Sequence, residues 1–533
     1  MNRKNLTAAV LAGLAGAAGI VGSAQAVNIN PDGLGQVLIY PYYTVNNNNV
    51  TLLSVVNTTE NAKAVKVRFM EGQNTREVLD FNLYMSAWDV WTASIYMNDD
   101  GVPQLETADT SCTVPYLYGM GGKQEFLPYA LTDGGSTDIV RATEGHFEMI
   151  EMGTLTNVDE NSADAATHVN GVPDDCDQLV EAWTDPDDSK VGDEGYWLVD
   201  PFIDMEAPSG GLFGGAAIIN VEAANMVSYD ATAINGFATD VFASDILHQT
   251  PGSVLPSLNS GDVLDGTVFL DNGATQNSGS FSRGVDAISY VFMHDQIMNE
   301  YTTEAGTLAQ TEWVVTFPTK HFYVYAPSAG GSDVPVAPFT SVWDADDDDP
   351  TACEVVLLDT IWDREERTFI DPIITGEPVP PIVSPAPPIV DPDVDPIIPF
   401  SLCYETSVIR FGDPDDVGDQ TPMLGSYNFH NIDNTALGFE NGWARLQLDD
   451  YPHDYNEDGI IDADEELFTR GDLGGLNGLP VTGFAVETFK NGFIGEGNAT
   501  LGNYGGLYTH KSTRKLGSDP GFGPGDIGSA QPQ

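Results

Sequence analysis

Basic residues are scarce in this chain. It has 20 Lys plus Arg against 80 Asp plus Glu, for a formal charge of −60. Nucleic-acid binding relies on Lys and Arg to neutralise phosphates and release counterions, so DNA and RNA are excluded as natural partners. Anionic lipid headgroups are repelled for the same reason. Self-repulsion of this size weakens a compact state at low ionic strength and is relieved by salt or bound cations. A salt-rich setting and the plain solubility demand on a secreted β-protein account for it equally well.

Long apolar runs are also few. Beyond residue 26 nothing combines strong apolarity with the ~20 residues that a membrane-spanning helix needs. The one such stretch, residues 6–21, is Ala, Gly, Leu, Val and Ile with a single Thr. It follows Arg3 and Lys4 and precedes Ala24-Gln25-Ala26, a small-x-small pattern. It reads as a signal peptide over 1–26, with the mature chain starting at Val27, rather than as an anchor. No lipobox cysteine follows it.

Cysteine is limited to Cys112, Cys176, Cys353 and Cys403, and no two stand at CxxC spacing. Zinc ribbons and thiol redox chemistry therefore have no support. An even count in an exported chain favours disulfides. Of the three pairings, Cys112–Cys176 and Cys353–Cys403 join nearest neighbours and are the most economical. Closing the ~50-residue loop of the second removes about 4 kcal/mol of unfolded-state entropy on the chain-entropy model.

Catalytic signatures are missing as well. There is no G-x-S-x-G, H-E-x-x-H or Walker sequence, and the one S-x-x-K match, Ser512-Thr513-Arg514-Lys515, lacks the partner motifs that give it meaning. The eight histidines never stand at metal-ligand spacing. Choosing two carboxylates for a glycosidase from 80 candidates carries no information. No catalytic residue and no organic cofactor site is expected.

What the chain does have is strand periodicity. Ala64-Val65-Lys66-Val67-Arg68-Phe69 and Val78-Leu79-Asp80-Phe81-Asn82-Leu83 alternate with period two, and Asn/Gly/Asp turns separate such runs. The expected fold is mainly β, a multidomain antiparallel β-sandwich (Ig-like) architecture with long acidic and Pro-rich loops. Residues 27–160 read as an N-terminal sandwich domain and 161–345 as a second β-rich region with acidic loops. Residues 346–400 read as an Asp/Pro-rich linker or excursion, and 401–533 as a C-terminal β-rich region. Within 371–399 the prolines cannot sit in a central sheet. Trp88 and Trp91 are expected to pack the first sandwich, and His146 and Glu148 to share a solvated strand face. Gly210-Gly211-Leu212-Phe213-Gly214-Gly215 lacks the GK[ST] ending of a phosphate loop and reads as close backbone packing or a bulge. Residues 239–247 give a hint of helix, and the aspartate clusters at 344–349 and 413–419 read as solvated turns.

One motif carries chemistry. Asp454, Asn456 and Asp458 stand at positions 1, 3 and 5 of a twelve-residue calcium loop. Gly459 permits the turn, the Ile460 carbonyl serves position 7, Asp462 position 9, and Glu465 closes the sphere. An all-oxygen set of this kind suits Ca²⁺, a hard cation. The loop resembles those of EF-hands and dockerins, over these residues alone. Strand-like Leu446-Gln447-Leu448 and Pro452 argue against a long entering helix, and no second loop is paired with it. A single structural site in a β-domain is the expectation. Elsewhere, stretches such as Leu38-Ile39-Tyr40-Pro41-Tyr42-Tyr43 and Asn503-Tyr504-Gly505-Gly506-Leu507 resemble a functionally uncharacterised family of secreted proteobacterial proteins, which implies export and no activity.

Together these features point to an exported protein of the periplasm, cell surface or medium. The leading expectation is a structural or interaction protein with a calcium-stabilised β-fold and an envelope or extracellular-matrix partner. The alternatives are a secreted hydrolase of polysaccharide or protein, and a carbohydrate-binding protein using Trp88, Trp91, Trp183 and Trp197.

Overall fold

The computed structural model describes residues 26–185, 194–240, 247–270, 273–325, 334–347, 350–366, 398–416, 418–434, 440–452, 467–468, 470–494 and 500–517. Among these the molecule is mainly β and is built from two sandwiches. Strands of the first are β1 (Val37–Thr44), β2 (Val50–Asn57), β3 (Lys63–Glu71), β4 (Glu77–Met85), β5 (Val90–Met97), β6 (Pro103–Glu106), β7 (Cys112–Val114), β8 (Glu144–Leu155), β9 (Leu212–Asn220), β10 (Asn225–Asp230) and β11 (Thr232–Asn235). Sheet A runs β11-β1-β8-β3-β4-β7, and sheet B runs β10-β9-β2-β5-β6 before a short strand, Lys123–Glu125. Alternation decides the core: Val65, Val67 and Phe69 of sheet A meet Leu53, Val55 and Trp91 of sheet B.

A buried helix, α1 (Gly284–Phe292), leads into the second sandwich. Its strands are β12 (Gln296–Thr302), β13 (Gln310–Thr316), β14 (Glu354–Asp363), β15 (Ile398–Leu402), β16 (Thr406–Phe411), β17 (Asn441–Gln447), β18 (Tyr451–Pro452), β19 (Leu467–Phe468), β20 (Thr482–Ile494) and β21 (Thr500–Thr509), with the one-turn helix α2 (His321–Val324) after β13. Sheet C runs β15-β14-β17-β12 and sheet D runs β16-β13-β20-β21. Pairing is antiparallel throughout both sheets except where Phe429–Ile432 adds to β16 in parallel.

The two sandwiches are fused. Sheet A is a middle layer: Val37, Ile39, Ile150 and Ile234 on its second face join the core that holds α1 and the interior of sheets C and D. Sheet D is shared in turn, because Val314, Val408, Phe484 and Val486 belong to the first core. The expected second region over 161–345 therefore has no sheet system of its own. Its strands β9 to β11 pair with the N-terminal ones, and β12 and β13 with the C-terminal ones. Local alternation cannot reveal this, since it identifies strands and not their partners.

Residues 367–397 lie outside the described ones, but their flanks are informative. β14 and β15 are antiparallel neighbours, with Glu354 opposite Leu402 and Leu358 opposite Ile398. The described flanks of the Pro-rich segment thus belong to neighbouring strands of one sheet. The glycine run before β9 packs closely: a Cβ on Gly214 would lie 2.0 Å from the Tyr40 hydroxyl and 2.3 Å from the Ser54 carbonyl. Among the described residues no helix is long and apolar enough to cross a membrane.

Candidate functional site

The second face of sheet A is where the rare basic residues go. Opposite Val65 and Val67, β3 carries Lys66 and Arg68, and both are buried. Arg68 donates from Nε to Glu77 at 2.8 Å and from Nη1 to Glu148, whose strand position lies directly opposite. Lys66 pairs with Asp80 on β4. At the start of β3, on the Val65 side, Lys63 meets Glu151 at 2.6 Å, and Arg141 bridges Glu71 and Asp133 at 2.7 Å each. The loop containing Gln249 and Gly252 covers one end, since the Gly252 N–H donates to Asp80 at 2.9 Å. This belt corrects the expectation for His146 and Glu148. The same alternation that sets them on one face is present, but that face is covered, and both are buried.

Burial governs the electrostatics. It drives His146 down to about 3, with the Arg68 charge adding to the effect. His146 is thus held neutral, and neither of its ring nitrogens has a hydrogen-bond partner. Burial also pushes the Lys66 ammonium down and the Asp80 carboxyl up, against the pull of their own ion pair. Towards the second sandwich Lys320 is lowered to about 8 by the same cause, and Glu405 is raised well above the usual carboxylate range. Such perturbed groups mark functional sites when they face a cleft. Here they are shut inside the protein, where they brace the sheet.

The sulfur bridges form as expected, Cys112–Cys176 and Cys353–Cys403. The first ties the helix Cys176–Glu181 to β7, beneath a small core of Tyr84, Leu179 and Trp197. The second joins the residues just outside the paired ends of β14 and β15. The aromatic expectation divides. Trp91 is fully buried, whereas Trp88 is 67% exposed and corrects the packing role given to it. Trp197 is buried, and Trp183 donates its indole N–H to the Tyr84 hydroxyl at 2.7 Å. Three of the four tryptophans named for saccharide binding thus have structural contacts.

The expected calcium loop, with Asp454, Asn456, Asp458, Ile460, Asp462 and Glu465, lies outside the described residues. Its base does not. β18 and β19 pair across it, Tyr451 opposite Phe468 and Pro452 opposite Leu467, so strands rather than helices flank the loop. Asp450 holds this base by accepting from the Arg470 backbone N–H at 2.8 Å and from Asn477 at 2.7 Å. Arg470 in turn is ion-paired with the buried Glu354. Among the described residues no group of three His, Cys, Asp or Glu side chains is disposed to hold a metal. The 413–419 cluster includes a local turn in which Asp413 accepts from the Asp415 N–H. Of the S-x-x-K match, Thr513 is bonded to Asp295 and Arg514 to the Val291 carbonyl, both structural. Residues 241–246 of the helix hint lie outside the described residues.

One cavity, of about 910 Å³, opens at the end of the second sandwich. Arg364, Arg410 and Lys490 line it together with Asp363, Asp413 and Glu440. Asn434, also in the lining, donates to Thr303 at 2.7 Å and leaves its side-chain oxygen unpartnered. Ala305, Leu308, Ala309 and Phe411 share the lining with these polar groups. Sequence reasoning missed both this cavity and the ionic belt. The only local signal for the belt was Lys63, Lys66 and Arg68 clustering among valines in a chain so poor in cations.

No family model, no curated protein and no solved structure matches the chain.

Proposed function

We propose that the protein is an exported structural and interaction protein of the cell envelope or its surroundings, braced by two disulfides and by calcium at Asp454, Asn456, Asp458, Ile460, Asp462 and Glu465. The observation that carries this reading is the fusion of the sandwiches. Sheet A is packed on both faces and sheet D contributes to both cores, which gives one stiff body. The strongly perturbed acids and bases of the belt lie inside that body and are out of reach of a substrate. Calcium rests on ligand spacing, and export on residues 1–26 and the cysteine count. Fractionation of cells producing the native chain, followed by cross-linking in place, tests the proposal. The expected result is a processed protein outside the cytoplasm, attached to an envelope or matrix component. Purified protein that turns over a polysaccharide or protein substrate would replace this reading with the hydrolase.

Saccharide recognition is a second reading, and one contact favours it. Trp362 and Trp443 stack as a cross-strand pair with centroids 4.2 Å apart and planes 17° from parallel. Arg445 lies over Trp362, and Trp443 is 36% exposed. Asp363 and Arg364, next in sequence to Trp362, line the cavity. Retardation in polysaccharide gels that disappears in Trp443→Ala would establish this activity. Equal mobility of both proteins in every gel would dismiss it.

A further inference from the structure

The outer face of sheet B differs in charge from the rest of the molecule. Its inward side chains, such as Leu53, Val55 and Trp91, fill the first core. Their alternating neighbours on β10, β9, β2 and β5 point away, and Asp230, on the edge strand, is the only charged one among them. Strand register sets Val90, Val56 and Phe213 in one row across three strands. Leu52 and Ala217 are opposed two residues along from Ser54 and Gly215. Val90 is 46% exposed, Phe213 42%, Leu52 40% and Met226 54%. Charge returns at its edges: Asp230 stands opposite Gly215, Glu106 on β6 stands opposite Ser94 and is paired with Lys123 at 3.4 Å, and Asp109 accepts from the Thr92 backbone N–H. Beside this face, next to the start of β5, Trp88 is held with φ at 61°, a conformation that a bulky residue rarely adopts and that recurs at binding sites.

We propose that this face is a self-association surface that takes a second copy of the chain, sheet against sheet about a two-fold axis. Its apolar residues alternate with the small uncharged Ser54, Thr92, Ser94 and Ser228, and an exposed, nearly uncharged sheet face is the kind that packs against another sheet at about 10 Å. Charge chooses the occupant. A basic partner is drawn to the acidic surface and gains little from this charge-poor face. A partner as acidic as this chain is repelled everywhere except there. With a screening length of about 8 Å at physiological salt, the marginal carboxylates act only weakly across the centre of such a contact. Ser54, Gly215 and Ala217 keep that centre flat enough for close approach. Four strands about 4.8 Å apart and some seven residues long give roughly 400 Å² per copy. That is the size of a weak, concentration-dependent interface.

The inference deepens the structural reading by naming the partner of one face, and the two fail separately. A dimer in vitro says nothing of location, and envelope attachment says nothing of this face. Sedimentation of the mature chain over a hundredfold range of concentration, at low and high salt, tests it. Dimer is expected to grow with concentration and also with salt, the reverse of association driven by opposite charges. Leu52→Glu and Leu52→Lys, on an exposed position, are each expected to weaken the dimer about tenfold or more with unchanged melting, because like charges meet across a symmetric contact. Mixing the two variants should restore a mixed dimer. Wild-type protein that stays monomeric at all concentrations and salts overturns the proposal. So does a dimer indifferent to both Leu52 variants, or a face that stays monomeric and binds a neutral polysaccharide instead.

Discussion

Glu144 and Glu312 grip the same loop from two different sandwiches. Glu144, on β8, accepts from the Tyr427 N–H at 2.8 Å and from the Tyr42 hydroxyl at 2.9 Å. Glu312, on β13, accepts from the N–H groups of Met423 and Leu424 at 2.9 and 3.0 Å and from the Thr421 hydroxyl at 2.8 Å. Burial pushes both carboxyls up, while these donors pull them back down. The loop between β16 and β17 is thus a pin through the seam.

Removing Glu312 strands the N–H groups of Met423 and Leu424 and the Thr421 hydroxyl. Glu312→Ala should lower stability by about 2–6 kcal/mol, at roughly 1–3 for each of the two unpaired N–H groups. Glu312→Gln keeps an acceptor and should lose less. Glu144→Ala combined with Glu312→Ala should depart from additivity, because both act on one loop. Urea unfolding measures all three. A wild-type midpoint for Glu312→Ala would mean that the pin bears no load.

The ionic belt predicts an asymmetry between breaking and replacing. Arg68→Met leaves Glu77 and Glu148 buried without their partner and should destabilise by about 3–5 kcal/mol. Adding Glu77→Leu and Glu148→Leu removes the stranded charges and should recover much of that loss. Thermal melts of the single and triple variants decide. A triple variant weaker than the single one would show that the charges contribute through their shape and bonding rather than through pairing.

The strands and the sulfur pairs were legible in the chain because both are local or near-local facts. Alternation over Ala64 to Phe69 marks a strand whatever packs on it, and four cysteines allow only three pairings. What covers a strand is not local. Lys66, Arg68, His146 and Glu148 look like a solvated face until α2 and the loop at Gln249 close over them. Trp88 and Trp91 look alike in sequence, yet Trp91 is fully buried and Trp88 sits in a left-handed turn pointing to solvent. Strand partners are hidden for the same reason, since β12 and β13 carry no mark of their distant partners β17 and β20.

Calcium should act through the base of its loop. Ligand binding stabilises a fold by mass action, so millimolar calcium should raise the melting temperature of the native chain and chelator should lower it. Asp454→Ala with Glu465→Ala should abolish that difference while leaving the chelated melting temperature unchanged. The strand pair β18–β19 and the Asp450 bonds to Arg470 and Asn477 hold the base from below, so the loss should stay confined to the calcium-dependent part. A double variant that still gains stability from calcium would move the ion elsewhere.

Acid sensitivity can be traced to single histidines, and His248 is the cleanest. Its ring is buried, sits beside Trp197 and Trp183, and contacts the Pro201 carbonyl at 2.6 Å and the Tyr84 hydroxyl at 3.3 Å. Burial lowers it to about 4, although the Pro201 carbonyl favours the charged form. The unfolded value is about 6.5, so the unfolded chain takes up the proton first. The stability owed to a neutral ring is therefore complete above pH 6.5 and is lost as pH falls through about 4. Raised carboxyls such as Glu144 and Glu312 act in the opposite sense, protonating in the folded state first, so the total pH profile mixes both signs. A difference measurement removes them. His248→Asn keeps a donor for Pro201 and does not titrate, so the carboxyl contributions cancel between it and the wild type. The wild-type advantage in unfolding free energy should be largest near pH 7 and shrink by about 3 kcal/mol by pH 4, at 1.36 kcal/mol per unit. Denaturant titrations at a series of pH values give that difference directly. A gap that stays constant with pH would mean that the ring titrates alike in the folded and unfolded chain, as it would if water reached it.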